Sequence, residues 1–277
     1  LVNAFFSKKK IKPKNTKFDL ITSFAIFYDV DNPNQFCSDI KKILKPDGVW
    51  VCELSYLPLM LKNLTFDQIC HEHLMYYSLS VFDKILKKNN LRIIDVELNE
   101  INGGSIEVII SKNTSKRASR LKLINQLKND EKKINKNSYK NFSIRVNKVK
   151  NDLNFFVRKN KSIIGYGAST KGNVILNFSK LDEKRIKYIC DENKKKHGRF
   201  TPGSNIKIIS KDEMRKMKPK YLLVLIWSFR PEIIKQELNF LKRGGSLIFY
   251  LPRFHIVNKF NYKKYLKSDF KPLSFSY

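Results

Sequence analysis

"KSIIGYGASTKGNVILNF", Lys161 to Phe178, decides how the second half of this chain folds. An apolar strand breaks at Gly165-Tyr166-Gly167-Ala168-Ser169, and a helix opens at Thr170-Lys171-Gly172-Asn173. A phosphate-binding turn requires that context. Glycine lets the backbone approach a ligand, amides at the helix N-terminus face it, and Lys171 can neutralise its charge. Asp191 ends the next strand about twenty residues on, where dinucleotide folds place a ribose-binding acid. The spacing is not G-x-G-x-x-G, however, and the lysine lacks the context of a nucleotide-triphosphate loop. Two readings stand on these residues: an anion-binding turn, and a tight strand-to-helix turn that holds no ligand.

Working outward, "RIKYICDENKKKHGRFTPGSNIKII", "PKYLLVLIW" and "GGSLIFYLP" supply further strands, with helices near Lys211 and Pro231. Residues 161–277 therefore form one α/β domain. Before them, residues 113–160 turn rich in Lys, Asn and Ser. Phe142, Val146, Val149, Leu153 and Phe156 step by four, three, four and three there, the apolar stripe of a linking helix. Residues 1–112 read as a second α/β region. "KFDLITSF" is a strand, and "DNPNQFCSDIKKILKPDG" is a helix capped by Asp31 or Asn32 with Pro33 in its first turn. Phe36, Ile40, Ile43 and Leu44 form its apolar face. "PDG" is then a turn into "VWVCEL", a strand parallel to the first. A helix from about Ser80 precedes "LRIIDVEL" and "GSIEVIIS", an antiparallel edge pair joined around "NEINGG".

Composition bounds the function classes. The chain has 277 residues, 42% hydrophobic and 12% aromatic, enough for two folded domains. No apolar run reaches the eighteen or so residues of a membrane span, and no signal-peptide pattern is visible. Cys37, Cys52, Cys70 and Cys190 are scattered without a C-x-x-C pair, which favours a reducing cytoplasm and offers no zinc framework. The formal charge of +30 rests on 44 Lys and only 11 Arg, spread along the chain. Nucleic-acid readers cluster Arg for bidentate contacts, so the charge reads as solvated surface. A smaller anion such as a nucleotide diphosphate suits the same field. The apolar alternation is already under way at Leu1, as expected of a chain entered in mid-domain.

"FDQICHEHLMYYSL", Phe66 to Leu79, concentrates reactive side chains: Cys70, His71, Glu72 and His73 are consecutive. A metal site needs a third ligand, and the other histidines, His197 and His255, lie in the far domain. A Cys70 nucleophile needs an oxyanion hole that the sequence does not display. A histidine base for one proton and a pair of histidines satisfied in a polar loop both remain open.

Taken in order, "FDQICHEHLMYYSL", "INGGSIEV", "GYGASTKGNVILNF" and "PGSNI" resemble the sugar C-methyltransferase family, S-adenosylmethionine-dependent enzymes that methylate a carbon of a nucleotide-linked keto-sugar. The match in order and spacing runs from about Leu1 to Pro252. The family carries tyrosine, or in some members cysteine, where Cys70 stands. The resemblance implies the C-terminal part of a Rossmann-like class I methyltransferase domain followed by a second Rossmann-like α/β domain. It implies His73 as base, Glu72 orienting it, and His71 and Cys70 against the sugar or the enolate oxygen. Phe24, Ala25 and Ile26 would lie near the adenosine of S-adenosylmethionine. Asn102, Gly103, Gly104 and Ser105, with Gly165, Tyr166, Gly167, Ala168, Ser169, Lys171, Asn173 and Asp191, would hold the nucleotide-diphospho-sugar across a domain cleft. The family's zinc-binding domain and glycine-rich cofactor loop would precede Leu1, so no metal is expected in this chain. The alternatives are a non-catalytic sugar-nucleotide binder and, on "GYGAST" with Asp191, an NAD-dependent oxidoreductase.

Overall fold

The computed structural model describes residues 2–11, 13 and 15–267. They divide into two compact units. One takes the chain up to Lys62 and then His71–Ser138, and the other takes Asn63–Cys70 and the chain from Tyr139.

In the first unit, β1 (Phe18–Phe24), α1 (Pro33–Ile43) and β2 (Leu44–Ser55) form the expected parallel strand–helix–strand unit. The side chain of Asn32 caps α1 by accepting from the Gln35 amide, with Pro33 in the first turn. After α2 (Leu57–Asn63), α3 (Leu79–Lys88) starts at Ser78, whose side chain accepts from the Val81 amide. β3 (Leu91–Asn99) and β4 (Ser105–Lys112) are antiparallel, and β4 inserts between β2 and β3 to give the order β1-β2-β4-β3. α4 (Leu121–Glu131) follows.

One expectation needs correcting here. Pro46-Asp47-Gly48 is not a separate turn but an irregularity inside β2, where pairing jumps from Phe18↔Leu44 to Leu20↔Val49. Asp47 is held from far along the chain: its carboxylate accepts from Ser115 Oγ at 2.9 Å and the Lys116 amide at 3.1 Å. Arg117 Nε donates to its carbonyl at 2.7 Å. The core of this unit is aromatic, with Phe27 in ring contact with Phe36, Trp50, Tyr77 and Phe82. The buried Trp50 indole donates to Ser23 Oγ at 2.9 Å, which satisfies its one polar atom.

The second unit opens with α5 (Lys136–Lys159), whose Val146, Val149 and Leu153 are buried while Phe142 and Phe156 pack at the edge of the same core. Its elements then run β5 (Ile163–Tyr166), α6 (Thr170–Ser179), β6 (Tyr188–Cys190), β7 (Lys207–Ile209), α7 (Lys211–Lys216), β8 (Tyr221–Val224), α8 (Arg230–Gln236), α9 (Leu238–Lys242), β9 (Ser246–Phe249) and β10 (His255–Val257). The sheet order is β10-β9-β8-β5-β6-β7, parallel except for β10. Strand order reverses between β5 and β8, the topological switch point of an open Rossmann-like sheet. Leu64 and Phe66 join this core from the upstream segment, Phe66 meeting Phe178 edge-on at 5.4 Å.

Candidate active site

In the first unit, β1 ends in a loop that the neighbouring strand shapes. Ala25 takes a left-handed φ of 54°, and its amide donates to the Glu53 carbonyl at 3.1 Å. Phe24 and Ile26 are left about half exposed, while Phe27 and Tyr28 turn inward through the 3-10 turn Phe27–Asp29. The carbonyl of Tyr28 accepts from two amides, Leu74 at 3.0 Å and Met75 at 3.1 Å. This clamp brings the histidine run onto the β1 loop: the half-buried His73 ring lies 4.4 Å from the Tyr28 ring, centre to centre. His71 and Glu72 are exposed. Burial, and then the Glu72 charge, hold the Asp29 carboxyl above its usual range. The candidate base His73 and the candidate cofactor loop Phe24–Ile26 therefore share one corner of this unit.

Asn102–Ser105 form the tight turn between β3 and β4. Asn102, Gly103 and Gly104 all have positive φ, 57°, 87° and 138°, which explains the glycine pair. The Gly104 carbonyl accepts from the Tyr56 amide at 3.5 Å, and Ser105 pairs with Ser55. The turn thus sits at the carboxyl end of β2. Nearby, Glu53 is buried and its carboxyl raised chiefly by burial, with Asn99 bonding it at 3.5 Å. Tyr28, Asp29, Glu53 and Tyr56 were not singled out from sequence. A short polar-aromatic run directly after a buried strand, "FYD", was the available signal.

In the second unit the glycine turn is braced from within. Gly167 has a φ of 88°, and a Cβ there would come within 2.8 Å of Ile226. Its amide donates to the Cys190 carbonyl at 2.8 Å. Asp191 accepts from the Ala168 amide at 2.8 Å and the Asn193 amide at 2.9 Å. Lys196 Nζ reaches the Ala168 carbonyl at 2.7 Å and Asp191 at 3.3 Å. Ser169 caps α6 by accepting from the Gly172 amide at 3.0 Å, and the half-buried Asn173 follows one turn on. Gly165 and Tyr166 lie within β5, where Tyr166 donates to Gln236 at 3.2 Å. Burial, then Glu237, pushes its phenol up.

Lys171 is half-buried, and burial lowers its ammonium against the opposing pull of Asp67 and Cys70. Cys70 thus belongs with Lys171 in this unit. Asp67 is 1% exposed and accepts from the Trp227 indole at 2.7 Å. Burial, opposed by Lys171, pushes its carboxyl up to about 6. Among the described residues, no group of three or more His, Cys, Asp or Glu could hold a metal ion, and no helix is long and apolar enough to cross a membrane.

These features define the class: a Rossmann-like α/β sheet with a polar loop at its strand ends, followed along the chain by a second α/β unit. A family model described as a methyltransferase domain matches residues 2–96, and one described as the C-methyltransferase C-terminal domain matches residues 100–252. The chain belongs to the C-methyltransferase family. It is similar to C-methyltransferase NovU of Streptomyces niveus, 31% identical over 245 residues that make up 86% of this chain and 58% of that protein. The chain thus spans a little over half the length of that relative. Among solved structures, mitomycin 7-O-methyltransferase MmcR superposes with a TM-score of 0.31 at 19% identity, over 38% of this chain and 32% of the other.

Proposed function

We propose that the protein is an S-adenosylmethionine-dependent C-methyltransferase of a nucleotide-diphospho-keto-sugar, with His73 as the base. The observation that carries this reading is the placement of His73 over Tyr28, beside the β1 loop. Exposed Phe24 and Ile26 flank the left-handed Ala25 there, a surface that fits one face of an adenosine. Those three residues would hold part of the methyl donor, which when bound supplies an electrophilic methyl group.

The remaining chemistry belongs to side chains. A C–H beside a ketone is acidic enough for an imidazole, whose proton affinity lies near working pH, to remove its proton. Nε2 or Nδ1 of His73 takes that proton, and the electron pair moves to the substrate carbon and ketone oxygen as an enolate. Glu72 orients the imidazole, while His71 and Cys70 contact the sugar or the enolate oxygen. In the first unit Asn102–Ser105 contact the sugar; in the second unit the Gly165–Ser169 turn, Lys171 and Asn173 form an anion-binding turn suited to a diphosphate.

The test is methyl transfer from labelled S-adenosylmethionine to a nucleotide-diphospho-keto-sugar by the full-length polypeptide. His73→Asn should abolish transfer and leave methyl-donor affinity intact; undiminished turnover would remove His73 from the mechanism.

A further inference from the structure

One row of the first unit's sheet sets carboxylates side by side. Read across the strands, Phe24, Glu53, Glu107 and Glu97 are register partners, one each from β1, β2, β4 and β3. Paired residues share a face of the sheet, and like charges directly opposite one another destabilise it. The aromatic core lies on the other face, with the buried Trp50, Cys52, Leu54 and Val108 that alternate with the row. Glu53 is nevertheless 6% exposed. Among the described residues its carboxylate accepts from Asn99 Nδ2 alone, at 3.5 Å, the outer limit of a hydrogen bond.

Ser55 stands two residues on along β2, and so on the same face. It is 7% exposed, and its Oγ has no hydrogen-bond partner among the described residues. The other polar groups of its row are engaged: Ser105 Oγ donates to the Ile101 carbonyl at 3.0 Å, and Asn99 Oδ1 accepts from the Ile101 amide at 3.0 Å. A buried carboxylate facing another, and a buried hydroxyl with no partner, both cost stability. Folds keep such groups chiefly at functional sites. Their place says which ligand completes them. Glu53 and Ser55 close the carboxyl end of β2, the end at which open α/β sheets take ligands. On one side the Glu53 carbonyl accepts from the Ala25 amide of the candidate methyl-donor loop at 3.1 Å. On the other, Ser55 pairs with Ser105, and the Tyr56 amide donates to the Gly104 carbonyl, both in the candidate sugar turn.

We propose that Glu53 and Ser55 bind a hydroxyl of the keto-sugar and so orient its ring at the end of β2. The role rests on the sugar reading given above. The carboxylate lacks a good donor and the serine lacks any partner, and a sugar hydroxyl, which both donates and accepts, suits the two together. A hydroxyl donating to a carboxylate makes a short, charge-assisted bond that fixes orientation as well as affinity.

The experiment compares Glu53→Gln and Ser55→Ala with the parent, all in the full-length polypeptide. Thermal midpoint, KM for a nucleotide-diphospho-keto-sugar and affinity for S-adenosylhomocysteine are measured. Glu53→Gln keeps the side chain's shape and removes the charge opposed to Glu107, and Ser55→Ala removes the unpartnered hydroxyl. Neither is expected to lower the thermal midpoint. Glu53→Gln is expected to raise KM about 10- to 100-fold and Ser55→Ala about 3- to 10-fold, with S-adenosylhomocysteine affinity unchanged. Ser55→Ala keeps the test open if Glu53→Gln does not fold. Variants that keep the parent's KM would overturn the inference and leave the methyltransferase reading standing, whatever their midpoints. Weakened S-adenosylhomocysteine binding at an unchanged KM would overturn it as well, moving the pair to the methyl donor. A parent that transfers no methyl group to the sugar would overturn the reading and the inference together.

Discussion

His73 and Tyr28 are stacked at a tilt, their ring centres 4.4 Å apart and their planes at 50°. The same Tyr28 uses its carbonyl to hold the amides of Leu74 and Met75. One residue at the end of β1 therefore fixes both the backbone after the histidine and the face of its ring. Replacing the ring while keeping bulk tests the contact. Tyr28→Leu is expected to forfeit an aromatic pairing worth about 1 kcal/mol and to lower kcat by roughly tenfold. Methyl-donor affinity, measured by calorimetry, should hold.

Asp67 gives stability an unusual pH dependence. Its carboxyl ionises near 6 in the folded chain, above its ordinary 3.8. Between those values the folded state keeps a proton that the unfolded state has released, so this group's contribution falls as pH rises from about 4 to about 6. The usual paired aspartate does the reverse. Denaturation midpoints for Asp67→Asn and parent, taken at pH 4.5 and 7, should show the parent losing on the order of 2 kcal/mol more across that interval.

Much of the fold was legible because its determinants are local. Asn32-Pro33 and Ser78 announced the starts of α1 and α3, and the four-three spacing from Phe142 to Phe156 announced α5. What escaped depends on distant partners. The bulge at Pro46–Gly48 is imposed by Ser115–Arg117, 68 to 70 residues on. His73 was nameable as a candidate base through the family resemblance, since the histidine run by itself left a polar-loop pair equally open. Tyr28 and Asp67 were not, because nothing around either marks it. Asp67 acquires its meaning from Trp227, 160 residues away.

Glu131 closes the N-terminus of α3 from the end of α4. Its carboxylate accepts from the amides of Leu79 and Ser80 at 2.5 and 2.9 Å and from Tyr56 OH at 2.8 Å. Glu131→Ala leaves these donors buried without an acceptor and removes a favourable anion from a helix N-terminus. A loss of about 3 kcal/mol is expected, read as a lower urea midpoint at unchanged slope.

The glycine turn of the second unit tolerates no side chain at Gly167. Alanine there combines a φ of 88° with a Cβ 2.8 Å from Ile226. Gly167→Ala is expected to cost about 1–3 kcal/mol and to weaken nucleotide-diphospho-sugar binding. Gly198→Ala, at a φ of 78° with open space around it, should pay the backbone term alone and spare binding. Thermal melts and titration calorimetry of the two variants separate strain from function.

The central claim is that His73 removes a proton from carbon, and solvent exchange tests it without waiting for methyl transfer. The full-length polypeptide is incubated in deuterium oxide with a nucleotide-diphospho-keto-sugar and S-adenosylhomocysteine, and the C–H beside the ketone is followed by proton NMR. The parent should exchange that position, and His73→Asn should leave it at the uncatalysed rate. Exchange by His73→Asn at the parent's rate would contradict the account.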